Sequence, residues 1–286
     1  MTNYLCASAF GLGILLASQA TGTPFFFSTG APDGKIGTVS RPASPGAMQQ
    51  ETADDFILGQ ATNLTTATFT GLLPSGSTSA DIQQVEIEFY HIFPIDSQNP
   101  PSGKVPTRVN SPSDVEIASA TRDSADGSLS FAASVLNPSF QVANTVVNGI
   151  HPIPNQTTGG EGPATGTEVL ISVVFNAPVS LPADHYFFRP EALLSNGNFL
   201  WLSAPRPIVP PGTPFTPDLQ TWTRNDALAP DWLRVGTDIV GGNPAPAFNA
   251  SFTLTGNEIP EPATFVLVLS ALALVIAPKA LRAKSK

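Results

Sequence analysis

Apolar and polar side chains alternate through much of the middle of this chain. In "VEIEFYHIF", Val85, Ile87 and Phe89 fall on one side and Glu86, Glu88 and Tyr90 on the other, the period of two of a half-buried strand. "AFNASFTLTG" repeats the pattern with Phe248, Ala250, Phe252 and Leu254. Further strand-like runs are "ADDFIL", "ATFTGLL", "SLSFAASVL", "EVLISVVF", "HYFF" and "NFLWLS". Helical periodicity is nearly absent, and no repeat of fixed period is visible. Proline and glycine punctuate the runs, above all in "FPIDSQNPPSGKVPTRVNSPSD" and "PRPIVPPGTPFTP", where residues lacking an N–H donor favour extended loops over strand interiors. About nine or ten short strands with such connections predict an all-β fold. The expected architecture is one antiparallel β-sandwich, jelly-roll-like, over residues 21–259, with long Pro-rich loops.

The two ends differ from this body. Near the start, "LCASAFGLGILLASQA" is apolar and small, and Ser18 and Ala20 occupy the positions expected before a cut after Ala20. Residues 1–20 therefore read as a secretory signal peptide, with the terminal amine as its only leading positive charge. At the other end, residues 263–277 carry no charge. As a helix they rise about 22 Å, short of the roughly 30 Å hydrocarbon core. Extension through Leu281, with Lys279 snorkelling, nearly closes the gap and predicts a transmembrane helix over 263–281. Lys279, Arg282, Lys284 and Lys286 then hold that end on the cytoplasmic side, with the body outside. Ahead of the helix, Pro260 and Pro262 keep "IPEP" extended, a form that a protease can bind.

Pro260, Glu261 and Pro262, the apolar run and the basic end, in that order, resemble a PEP-CTERM sorting signal. The basic residues are spread as "KALRAKSK", and Pro278 stands at the helix end. The resemblance covers about a tenth of the chain and implies an exported bacterial protein. It further implies a transient inner-membrane anchor, an exosortase-type sorting enzyme as partner, and release to the cell surface or exterior alongside exopolysaccharide.

Charge narrows the remaining choices. Residues 21–259 hold nine Lys and Arg against 21 Asp and Glu, a net charge of −12, which disfavours nucleic acid and anionic lipid as partners. The single cysteine, Cys6, lies in the signal segment, so the body has neither disulfide nor thiol nucleophile and relies on core burial. His91, His151 and His185 lack zinc-motif spacing, no G-x-S-x-G elbow occurs, and "GGEGPATG" lacks the Lys-Ser/Thr of a phosphate loop. These readings favour a noncatalytic protein.

Three groups of residues are candidates for chemistry. Glu86 and Glu88 sit on one strand face, about 6.5–7 Å apart by strand rise. They motivate an exported carboxylate-dependent polysaccharide hydrolase as the alternative, although their expected setting is a solvated face. Asp184 and His185 are adjacent, and adjacent strand residues point to opposite faces. Asp33 in "APDGKIG" and Asp54 with Asp55 in "ETADDFIL", together with the later Asp231 and Asp238, offer hard oxygens for a calcium ion if their loops converge. "RDSADGSLS" has too few acids for an EF-hand loop. Finally, "TWTRNDALAPDWLRVGTDI" sets Trp222 and Trp232 among charges, near Trp201 and Tyr186 in type. Exposed rings of this kind stack on sugars, while the same rings in a body of this size also serve as core. The expected function is a cell-surface or matrix-associated noncatalytic protein, open to glycan or exopolysaccharide binding; a permanently membrane-anchored envelope protein is a further alternative.

Overall fold

The computed structural model describes residues 22–94, 103–148, 150, 153, 156–205 and 219–260. The signal segment, Glu261, Pro262, the helix expected over 263–281, the basic residues Lys279, Arg282, Lys284 and Lys286, His151 and most of the second proline-rich loop lie outside the described residues. Residues 23–259 form one unit by their contacts.

The strands, in chain order, begin with β1 (Pro24–Ser28), β2 (Ile36–Val39), β3 (Gln50–Leu58), β4 (Thr62–Pro74) and β5 (Ile82–His91). They continue through β6 (Arg122–Asp123), β7 (Leu129–Val142), β8 (Asn144–Val146), β9 (Ala164–Leu181) and β10 (Asp184–Leu194). The last are β11 (Leu200–Ala204), β12 (Trp222–Asn225), β13 (Leu233–Arg234), β14 (Asn249–Ala250) and β15 (Phe252–Glu258). Helical structure among the described residues is confined to short 3-10 and π turns, and none is long and apolar enough to cross a membrane.

These strands build two sheets. A nine-stranded sheet runs β1-β15-β4-β11-β2-β8, with β9 and then β7 added along β4 and β14 on β11; a six-stranded sheet runs β13-β12-β3-β10-β5-β6. The all-β expectation holds. Two details differ from it. First, β2 pairs with β8 in parallel. Second, the strands number fifteen among the described residues, two of them long, with 18 residues in β9 and 14 in β7. Bulges in β7, at Val135/Asn137 and Asn137/Phe140, let that strand continue along β9 where a regular pairing would lose register.

The alternation visible in the sequence explains how the sheets meet. Val85, Ile87 and Phe89 of β5, Tyr186 and Phe188 of β10, Ala67 and Phe69 of β4, and Phe252 and Leu254 of β15 all enter one hydrophobic cluster drawn from both sheets. Phe188 from the six-stranded sheet stacks on Phe252 from the nine-stranded sheet, with ring centroids 5.0 Å apart, and Trp201 meets the same two rings edge-on. Gly71 of β4 is required by this packing: a Cβ there would lie 2.0 Å from the Phe199 ring.

A second, smaller cluster lies on the other side of the six-stranded sheet. Ala53, Tyr90, Phe187, Leu219, Trp222 and Trp232 form it. The strand residues of this group have the opposite parity to the main core, so the six-stranded sheet is covered on both sides, and its outward side chains are buried beneath residues 226–232, which join β12 to β13, and the segment near Ser113.

Candidate functional site

The outward side of the six-stranded sheet concentrates charge. On β5, Glu86, Glu88 and Tyr90 share that side because Val85, Ile87 and Phe89 take the other. Arg189 and Glu191 do so on β10, Glu51 on β3 and Arg224 on β12. Register then brings them together: Arg189 stands opposite Glu88, Glu191 opposite Glu86, and Arg224 opposite Glu51.

Arg189, 1% exposed, is the hub. Its Nε donates to Glu88 Oε2 at 3.0 Å and lies 3.3 Å from Glu51 Oε1, its Nη1 is 2.6 Å from Glu191 Oε2, and its Nη2 pairs with Glu88. Arg224 makes a two-pronged pair with Glu51, through Nε and, at 3.1 Å, through Nη2. The Tyr90 hydroxyl lies 2.6 Å from Glu88 Oε2 and 3.0 Å from Glu51 Oε1, and it accepts from Arg224 Nη2 at 3.2 Å. Gln49 Nε2 reaches both oxygens of Glu191 at 3.2 Å. The roof is tied on by the same groups: Arg224 Nη1 donates to the carbonyls of Asp114 and Pro230 at 3.2 and 3.3 Å, and Trp232 Nε1 donates to the Ser113 carbonyl at 3.3 Å. The Arg224 guanidinium lies 4.2 Å from the centre of the Trp232 ring, a cation–π contact. Beside this network, Arg108 pairs with Asp114 and, at 2.8 Å, with Asp231.

Carboxyls outnumber guanidinium groups here, and that sets the protonation. Burial pushes Glu51 upward, but Arg224 and Arg189 with their hydrogen bonds outweigh it and hold Glu51 below the ordinary carboxylate value. Glu191 has Arg189 as its nearest cation but is fully buried among Glu51, Glu86 and Glu88, and burial foremost pushes it up to about 8. Glu86 is pushed up to about 7, first by burial, then by its hydrogen bond to Glu88 and the charges of Glu88 and Asp123, with Arg189 opposing. Near neutral pH the network therefore stores protons on Glu86 and Glu191 while Glu51 stays ionised. It acts chemically as a buried clamp across four strands with titratable reserve.

Sequence reasoning found Glu86 and Glu88 but placed them on a solvated face. The structure corrects this: Glu88 is buried and Glu86 half-buried, because residues 226–232 and the segment near Ser113 cover a side that strand alternation alone leaves open. Glu51, Arg189 and Glu191 were missed, and Arg224 was noted only as one of the charges around Trp222 and Trp232. The available signal was the i, i+2 charge pair in "FFRPEALL", an Arg and a Glu on one side of an otherwise apolar strand.

The aspartates expected to offer oxygens to a calcium ion are each engaged by groups of the protein. Asp54 and Asp55 are neighbours on β3 and point to opposite sides: Asp54 accepts from the Ala250 N–H at 2.6 Å, whereas Asp55 accepts from Leu219 N–H at 3.1 Å and faces His185 Nε2 at 2.7 Å. Asp33 takes the Ser203 hydroxyl and pairs with Lys35 at 3.1 Å, and Asp238 is clamped by Arg234 at 2.7 Å. Among the described residues, no three or more His, Asp or Glu are grouped to hold a metal ion. Asp184 and His185 separate as strand geometry demands, with Asp184 Oδ2 3.6 Å from His91 Nδ1 and His185 turned to Asp55.

The tryptophan platform is also corrected. Trp222 and Trp232 are 1% and 0% exposed, packed into the smaller cluster, so neither ring has an open face for a sugar. Trp201 and Tyr186 are equally enclosed in the main core.

The protein is thus defined as a β-rich body of two sheets with a roofed charge network on one of them. No family model, no curated protein and no solved structure matches the chain.

Proposed function

We propose that this chain is an exported, noncatalytic β-sandwich protein of jelly-roll-like type, delivered by a PEP-CTERM-like tail to the cell surface or extracellular matrix. The observation that carries the reading is the order at 260–286: Pro-Glu-Pro, then an uncharged run, then Lys279, Arg282, Lys284 and Lys286. An apolar helix followed by cations is retained at a bilayer with the cations inside, and the extended prolines leave a site for an exosortase-type enzyme. An acidic body of −12 suits solubility, and export permits disulfides without requiring them, so a body with no cysteine after Cys6 is compatible with it.

The charge network supports the noncatalytic part. A glycosidase sets two carboxyls about 5–9.5 Å apart on either side of a substrate. Here Glu86 and Glu88 bond to each other, and Glu88 is further held by Arg189 and Tyr90. The carboxyl groups serve as ties between strands. The hydrolase reading keeps one favourable observation, the protonated character of Glu86 near neutral pH, as a general acid requires.

The intact mass of the exported protein tests the sorting reading. A mass ending near Pro260–Pro262 is expected, and retention of the basic residues would instead mean a permanent anchor. For catalysis, the purified protein on a panel of polysaccharides should release no sugar; turnover that disappears in Glu86→Gln would establish the hydrolase.

A further inference from the structure

A broad part of the outward side of the nine-stranded sheet carries no charge. Strand register lays its residues in rows across the sheet. The first row is Ser28, Thr253, Thr68, Ser172 and Ala132, the second is Phe26, Thr255, Thr66, Val174 and Ser130, and the third includes Thr70, Leu170 and Ser134. The alternate residues of these strands, such as Phe27, Phe252, Phe69 and Ile171, are the ones that fill the core, so the rows face away from it. Leu136 and Val174 are each 52% exposed, and Phe26 is 44% exposed. Glu168, next in parity after Leu170 on β9, is buried and lies beyond these rows.

A groove of about 300 Å³ opens on this side, bounded by Ser28, Thr68, Thr70, Thr253, Leu136 and Leu170 and closed at one end by the Gly30–Pro32 turn. Its walls combine hydroxyl groups with aliphatic surface and contain no acid or base. Neighbouring hydroxyls of the rows bond in pairs, Thr253 to Ser28 at 3.0 Å and Thr66 with Thr255 at 2.6 Å, and their remaining lone pairs can accept from a ligand. Neutral sugars have the matching chemistry, C–H faces for the leucines and hydroxyl edges for Ser and Thr.

Charge selects among polymers. An acidic polysaccharide meets a body of net charge −12 and finds no cation on these rows to compensate. A neutral chain requires no charge to be desolvated on either partner. A second copy of the sheet is a poorer occupant, since the rows are mostly hydroxyl-bearing where a dry sheet-on-sheet contact needs apolar residues.

We propose that this uncharged face, centred on the groove, binds a neutral, extended polysaccharide chain. The proposal rests on the matrix-associated reading above and gives it a surface and a ligand class.

Affinity electrophoresis tests it, with the full chain in nonionic detergent run through gels containing hydroxyethyl cellulose or dextran as neutral polymers, or alginate as an anionic one. Retardation by a neutral polymer and not by alginate is expected. Thr68→Lys and Thr253→Lys, each placing a cation in the groove, should bind roughly tenfold or more weakly. Gln83→Lys, the same charge change at an exposed position of β5, should match the parent, and thermal melts confirm that all three variants fold. If the groove variants are retarded like the parent, the face is wrong while glycan association survives. Retardation only by alginate, or by no polymer, overturns the proposal and leaves the sorting reading to the mass measurement. A dimer in sedimentation that Thr68→Lys dissociates would assign the face to self-association and overturn it equally.

Discussion

Replacing Glu191 by Gln removes a proton-binding group from the centre of the charge network and leaves its shape. In the unfolded chain this carboxyl titrates near 4.5, and in the folded protein it titrates at about 8. Below pH 4.5 both states hold the proton, and the stabilisation is fully present. From 4.5 to about 8 the folded state binds more protons than the unfolded one, so stability falls as pH rises; above 8 the slope ends. At 1.36 kcal/mol per pH unit the gap corresponds to about 5 kcal/mol. That is an upper bound, since Glu86 titrates in the same network. The amide introduced by Glu191→Gln cannot titrate, so the variant loses this slope and keeps only the one from Glu86, which ends at about 7. At pH 5 the variant should be less stable by about 1 kcal/mol, because its amide presents a donor toward Gln49 Nε2. By pH 9 it should be the more stable protein. Urea titrations from pH 5 to 9, followed by the fluorescence of the buried Trp201, Trp222 and Trp232, read the difference directly. Parallel pH profiles for parent and variant would refute the assignment of a stored proton to Glu191.

Arg189→Met leaves three carboxyls without their common cation and should cost about 3–5 kcal/mol, a fall in Tm of about 6–20 °C for a body of this size. The loss should be smaller at pH 5, where Glu191 holds its proton; an equal loss at pH 5 and 8 would count against the ion network. Gly71→Ala drives a methyl into the Phe199 ring and should destabilise by about 1–3 kcal/mol in the same titration, whereas an unchanged midpoint would mean that β4 and β11 are packed less closely than described.

What the sequence made legible follows the period of two. Val85, Ile87 and Phe89 face the core, and Glu86, Glu88 and Tyr90 face away, as the pattern of "VEIEFYHIF" requires. Strand lengths and partners were less legible, because β7 and β9 cross polar and proline-containing stretches that read as breaks, and because the bulges that accommodate them leave no mark in composition. The parallel β2–β8 pair depends on residues more than a hundred apart in sequence, and no local pattern encodes it. The site failed to appear for the same reason. Glu88 and Arg189 sit on β5 and β10, about a hundred residues apart in sequence and paired only through the assembled sheet, so their meeting is a tertiary fact. Trp222 and Trp232 were ambiguous because an aromatic ring among charges suits both a sugar platform and a buried cluster, and only the placement of residues 226–232 and the segment near Ser113 over the sheet decides between them.

The two outward sides of the sheets have opposite chemistry, and one cause accounts for both. A side covered by loops can accept charge only if each group finds a partner, and strand register supplies such partners in rows: Arg224 with Glu51, Arg189 with Glu88, Glu191 with Glu86. The covering loops are held by hydrogen bonds from the same side chains, through Arg224 to the Asp114 and Pro230 carbonyls. The bare side faces another constraint. A wide exposed sheet made of Val, Ile and Phe would aggregate, and one made of Lys and Glu would repel a neutral surface ligand through its hydration. Thr and Ser meet both demands, since Thr favours strands and both hydrogen-bond to water or sugar alike and carry no charge. A body with 21 acids that keeps all of them off these rows has an outward side suited to a neutral partner, and this is why Thr68→Lys, which alters the charge of the groove and little else, separates a binding surface from a merely strand-favouring one.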